Sequence, residues 1–76
     1  MNKINNPPAF PNLNAEMARA GYSVNDLAIL LKRDYRTAQN KVDGKGPFYR
    51  RDMVKIQKEW FPAISLDELF FTEIEV

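Results

Sequence analysis

Gly21-Tyr22-Ser23-Val24-Asn25-Asp26-Leu27-Ala28-Ile29-Leu30-Leu31, then Lys32-Arg33-Asp34, then Tyr35-Arg36-Thr37-Ala38-Gln39-Asn40-Lys41-Val42-Asp43-Gly44-Lys45, reads as two short helices and the break between them. Ser23-Val24-Asn25-Asp26 is a capping box. The serine oxygen can accept from the amide of Asp26, and the aspartate carboxylate suits the positive end of a helix. The helix it opens runs to about Leu31, with Val24, Leu27, Ala28 and Leu31 as its buried stripe. Ile29 and Leu30 point elsewhere and are surplus apolar surface. Asp34 is a good N-cap for the next helix, Tyr35 to about Val42, and Gly44 supplies a left-handed terminus. On this helix Ala38 and Val42 share one face, with Tyr35 at its border. Arg36, Gln39, Asn40 and Asp43 share the other, so the buried side is thin and the outer side is rich in hydrogen-bonding groups.

Outward from this pair, residues 1–11 read as a flexible N-terminal arm, because Asn5-Asn6-Pro7-Pro8 and Pro11 disfavour helix and central strand. Asn12 can cap a first helix to about Ala20, with Leu13, Met17 and Ala20 facing the core and Gly21 at its end. Gly46-Pro47 makes a loop, and a fourth helix runs from about Arg50 to Trp60 with Met53, Ile56 and Trp60 inward. Pro62 ends it. Ser65-Leu66-Asp67-Glu68 is a second capping box, opening a short fifth helix to about Phe70. The tail, residues 71–76, alternates polar and apolar from Thr72 onward, as a half-exposed strand does.

Charge is unevenly placed. Nine of the eleven basic residues lie between Lys32 and Lys58, against Asp34, Asp43 and Asp52, a surplus of six positive charges. Residues 59–76 carry five acids and no base. A concentrated positive field attracts polyanions, nucleic acid above all, although Lys and Arg also simply solvate helix surfaces. Seventy-six residues make one domain with a small core and no room for a large catalytic cleft. There is no cysteine and no histidine, which removes disulfides, thiolate nucleophiles, the usual zinc ligands and the usual neutral-pH acid–base group. Glu16, Asp26, Asp52 and Glu59 form no pair that the sequence places together, and each reads as a cap or surface charge, so an enzyme is not expected. No apolar run is long enough for a signal peptide or a membrane span, and a cytoplasmic protein is expected.

Two short helices joined by three residues, with the small Ala28 where the second must cross the first, form a helix-turn-helix pattern. At this point the chain resembles the phage repressor/Cro (XRE-type) helix-turn-helix DNA-binding family. The likeness runs without a gap from Gly21 to Lys45 and continues into Ser65-Leu66-Asp67-Glu68-Leu69-Phe70, similar to that family's usual closing motif, so residues 12–70 are covered. The resemblance implies a compact, five-helix, lambda-repressor-like all-α domain. It implies that the helix 35–42 enters the major groove of operator DNA, without a cofactor, to regulate transcription as a repressor or Cro-like switch. The lack of a large further domain in the chain favours the Cro-like form.

Carried over position by position, the resemblance assigns base reading to Tyr35, Arg36, Gln39 and Asn40. Arg36 can bond guanine O6 and N7 in a bidentate way, and Gln39 and Asn40 can do so with adenine N6 and N7. Ser23, Asn25, Arg33, Thr37, Lys41, Lys45, Tyr49 and Arg50 are candidates for phosphate contacts, which position the protein without reading sequence. An ordinary polar helix face, and for Ser23 an ordinary cap, are the plain alternatives. Arg51, Lys55 and Lys58 fall on the solvent side of the fourth helix and are not assigned to DNA.

The family often has glutamine where this chain has Val24, glycine and an aliphatic where it has Lys32 and Arg33, and an apolar residue where it has Lys41. These departures are expected to weaken the core side of the motif and keep a rival open: a repressor-like protein-interaction module that no longer reads an operator. A homodimer through Ile29/Leu30 or the C-terminal tail would place two reading helices about 34 Å apart, one turn of B-DNA.

Overall fold

The computed structural model describes residues 9–72, which form five helices: α1 Pro11–Ala20, α2 Val24–Leu31, α3 Tyr35–Asp43, α4 Arg50–Trp60 and α5 Leu66–Leu69. No strand occurs among the described residues, so the chain is all-α there. The strand expected of the tail falls almost wholly on residues outside them, as do residues 1–8 of the expected arm.

The helix starts follow from side chains one turn away. Ser23 Oγ accepts from the Asp26 amide at 3.1 Å and Asp26 Oδ2 accepts from the Ser23 amide at 2.8 Å. Asp34 caps α3 through the Thr37 amide at 3.0 Å, and Ser65 caps α5 through the Glu68 amide at 3.2 Å. Three helix ends share one device, a left-handed residue whose own amide and the next bond back to the last turn. In α1 it is Gly21 and in α3 Gly44. In α2 it is Lys32, at φ 58°, with Lys32 N bonded to Ile29 O and Arg33 N to Ala28 O. A left-handed non-glycine residue costs about 1–2 kcal/mol, so the turn is made against local preference.

α2 and α3 pack closely on each other, with Ala28 and Ala38 both buried. Small side chains at a crossing let two helix axes approach. Leu13 and Met17 of α1, Leu27 and Leu31 of α2, Ile56 of α4, Phe61 and Leu69 complete the core. Val24, Leu30 and Val42 pack against its edge and are half-buried.

Three expectations at the N-terminal side need correcting. Asn12 does not cap α1: the helix begins at Pro11, after Phe10, and Asn12 Nδ2 instead donates to the Glu68 carbonyl at 2.7 Å, joining α1 to α5. Pro11 suits the first helical position because its missing N–H would be unsatisfied there anyway. Residues 9–11 do not belong to a flexible arm. Ala9 is buried, and Phe10 meets Phe48 and Phe70 edge-on with ring centroids 5.5 and 6.0 Å apart. Ala20 is exposed rather than inward; two residues on, past the end of α1, Tyr22 packs inward and stacks flat on Trp60 at 3.9 Å.

Candidate functional site

α3 is held by its inner side and open on its outer one. Ala38 is fully buried, Val42 is half-buried, and Tyr35 and Arg36 are exposed. Tyr35, Arg36, Gln39, Asn40, Asp43 and Lys45 together line a shallow recess of about 300 Å³ on the outer face. The four residues expected to read bases therefore lie side by side.

Their side chains are not independent. Tyr35 Oη donates to Gln39 Oε1 at 3.2 Å, and Gln39 Nε2 donates to Asp43 Oδ1 at 3.0 Å. Residues four apart on a helix are neighbours, so the three form one row along α3. At the start of the helix, hydrogen bonds from the Thr37 side chain and amide hold the Asp34 carboxyl below its ordinary pKa.

A second recess of about 370 Å³ lies on the other flank of α3, between Arg33 and Thr37 on one side and Gly46, Pro47 and Tyr49 on the other, with Asn40 shared by both. Asn40 is fixed there by its backbone, whose carbonyl accepts from the amides of Lys45 at 2.9 Å and Gly46 at 3.1 Å. Of the residues expected to meet phosphates, Arg33, Thr37, Lys41 and Tyr49 line this recess and Lys45 the first. Asn25 and Arg50 are exposed but line neither. Ser23 Oγ is engaged in its cap on both sides, accepting from the Asp26 amide and donating to Asp26 Oδ2 at 3.0 Å.

Lys41 is the clear correction. It was expected on the surface as a phosphate ligand, but its side chain is 3% exposed and its ammonium sits 3.0 Å from Asp52 Oδ2. Lys41 Nζ also donates to the Pro47 carbonyl at 2.8 Å and lies 4.8 Å from the centre of the Tyr49 ring. A lysine at an inward helical position reaches this arrangement because burying an ammonium requires a paired charge and further hydrogen-bond acceptors. Asp52 meets the need, and its Oδ2 accepts from the Tyr49 amide at 3.3 Å as well. Asp52, expected to be a cap or a surface charge, is a cap and a buried counter-ion together. Nothing in the linear spacing of residues 41 and 52 signals the pair.

Among the described residues no group of three acidic, histidine or cysteine side chains is placed to hold a metal ion, and no helix is long and apolar enough to cross a membrane. Comparison with protein-family models, with curated proteins and with solved structures finds no match to this chain.

Proposed function

We propose that the chain is a sequence-specific, double-stranded-DNA-binding regulator of transcription of the phage repressor/Cro kind, with α3 as the helix that enters the major groove. One observation carries this reading. A nine-residue helix is anchored by its alanine side and presents Tyr35, Arg36, Gln39 and Asn40 outward, with Arg33 and Lys45 at its two ends. The major groove admits a single helix, and these side chains include the types that pair with guanine and adenine edges. Arg33, Thr37, Lys45 and Tyr49, with Asn25 and Arg50 further out, are left to hold phosphates. Bound at a promoter, such a protein acts by occlusion and needs no cofactor. Because Lys41 is neutralised internally, the phosphate-binding charge is smaller than the basic block of the sequence suggests.

The test is selection from a random duplex library followed by gel shifts on the enriched sequence. Binding is expected to weaken steeply with rising salt, as counterions are released from each neutralised phosphate. Arg36→Ala and Asn40→Ala are expected each to relax preference at one position by about 1–3 kcal/mol. Equal binding to all sequences, indifferent to both changes, rejects the reading.

A second reading is favoured by Ile29, which is 69% exposed on α2. An apolar residue so placed suits a protein partner or a second copy of the chain. Partner binding through it responds little to salt and is lost in Ile29→Ser, and sedimentation of the free and DNA-bound protein tests the dimer.

A further inference from the structure

We infer that Asp43 and Tyr35 are positioning residues that fix the orientation of the Gln39 carboxamide, so that α3 presents a reader for adenine on one strand only. The inference rests on the DNA-binding reading above. It gives Asp43 a role that reading lacks and moves Tyr35 from a base contact to a support.

A carboxamide has an oxygen that only accepts and an amino group that only donates, and a free glutamine on a helix surface presents either way round. Gln39 is not free. Its Nε2 donates to Asp43 Oδ1, and its Oε1 accepts from Tyr35 Oη. An ionised carboxylate is acceptor-only, so it must face the amino group; a flipped amide sets oxygen against oxygen. The tyrosine hydroxyl donates or accepts equally well and follows. The orientation is therefore set at Asp43, with the amide nitrogen toward the end of α3 and the oxygen toward its start.

Each amide atom keeps one further bond to make: a second hydrogen on nitrogen and a second lone pair on oxygen. That pair matches the N6 donor and N7 acceptor of adenine and mismatches guanine, whose N7 and O6 both accept. With the amide fixed, N6 must lie toward the Tyr35 end and N7 toward the Asp43 end. Since the rest of α3 sets the register on the duplex, only one strand's adenine satisfies this, and A·T is separated from T·A at that step.

Asp43 is otherwise poorly placed. It is the last residue of α3, where the helix dipole disfavours a carboxylate, and it lines the recess that would face a polyanion. Among the described residues it forms no ion pair with Arg36 or Lys45, which line the same recess. A residue that breaks local electrostatic rules on a binding face points to use at that face.

The experiment is library selection with the unmodified chain, Gln39→Ala, Asp43→Asn and Tyr35→Phe, each checked for unchanged helical circular dichroism. Gln39→Ala identifies the base pair that residue 39 reads, by flattening it. At that pair Asp43→Asn is expected to lower the ratio of A·T to T·A roughly three- to ten-fold, the size of about one lost hydrogen bond, with Tyr35→Phe lowering it less. The ratio separates this from a simple charge effect, because losing a negative charge raises affinity for all sequences alike. If Gln39→Ala flattens a position and Asp43→Asn leaves its ratio unchanged, the positioning role is wrong and DNA reading stands. The same holds if Gln39→Ala leaves the selected motif intact. If the unmodified chain enriches no motif, both fall.

Discussion

The ammonium of Lys41, near the end of α3, lies 3.0 Å from Asp52 Oδ2 in the first turn of α4, and both side chains are more than nine-tenths buried. The pair closes the loop from Gly44 to Tyr49 onto the two helices, because Lys41 also holds the Pro47 carbonyl and Asp52 the Tyr49 amide. Removing either partner leaves the other charged and unmatched inside the protein. Lys41→Met is expected to cost about 3–5 kcal/mol, measured by urea unfolding. Adding Asp52→Asn to that variant is expected to recover part of the loss. A double variant no more stable than Lys41→Met alone contradicts this account of the pair.

Lys32 holds α2's left-handed terminus, the position that Gly21 and Gly44 hold in α1 and α3. Lys32→Gly is expected to stabilise the chain by about 0.5–1 kcal/mol, since relief of the left-handed strain exceeds the entropy that glycine adds to the unfolded state. In thermal unfolding this is a rise in Tm of several degrees. Gly21→Ala is the converse. No atom lies within 4 Å of the added methyl, so its expected loss of about 1 kcal/mol comes from the backbone alone.

Asp34 governs part of the acid limb of stability. Its folded-state pKa is lowered by its bonds from Thr37, so its contribution is present above the unfolded carboxylate pKa and is lost as pH falls through the lower, folded value. Asp34→Ala is expected to lower Tm at pH 7, with the gap to the unmodified chain closing in acid. Asp34→Asn keeps a capping oxygen, so it is expected to keep most of the stability at pH 7 while losing this pH dependence.

Ala38 lies fully buried where α3 packs on α2. Ala38→Leu is expected to cost about 1–3 kcal/mol through overpacking. Because it pushes α3 away from its support, it is also expected to disturb base preference across the whole selected site rather than at one position. A stable variant with unchanged preference argues that α3 is not held in register by this contact.

Much of the architecture was legible because its signals are local. The spacing of Ser23 to Asp26, of Asp34 to Thr37 and of Ser65 to Glu68 marks helix starts within a single turn, and the helices begin there. The outer face of α3 was legible for the same reason, since helical period alone puts Arg36, Gln39, Asn40 and Asp43 together. Asp43 could have been singled out from that period, four residues beyond Gln39, but which amide atom it meets is seen only in the folded helix. The errors fell where a residue has two competing partners. Asn12 can cap a helix or reach another chain segment; it reaches Glu68, 56 residues away. Phe10 follows a proline-rich stretch that reads as solvated, yet Phe48 and Phe70 cover it.

From sequence alone came the five helices, the caps of α2, α3 and α5, and the polar outer face of α3, because hydrogen bonds within one turn depend only on residues a few places apart. Tertiary structure alone decided that Lys41 turns inward to Asp52 while Arg33 stays exposed. A lysine stem accepts apolar surroundings and its ammonium accepts water, so which wins depends on whether a counter-charge waits inside. Here α4 brings one.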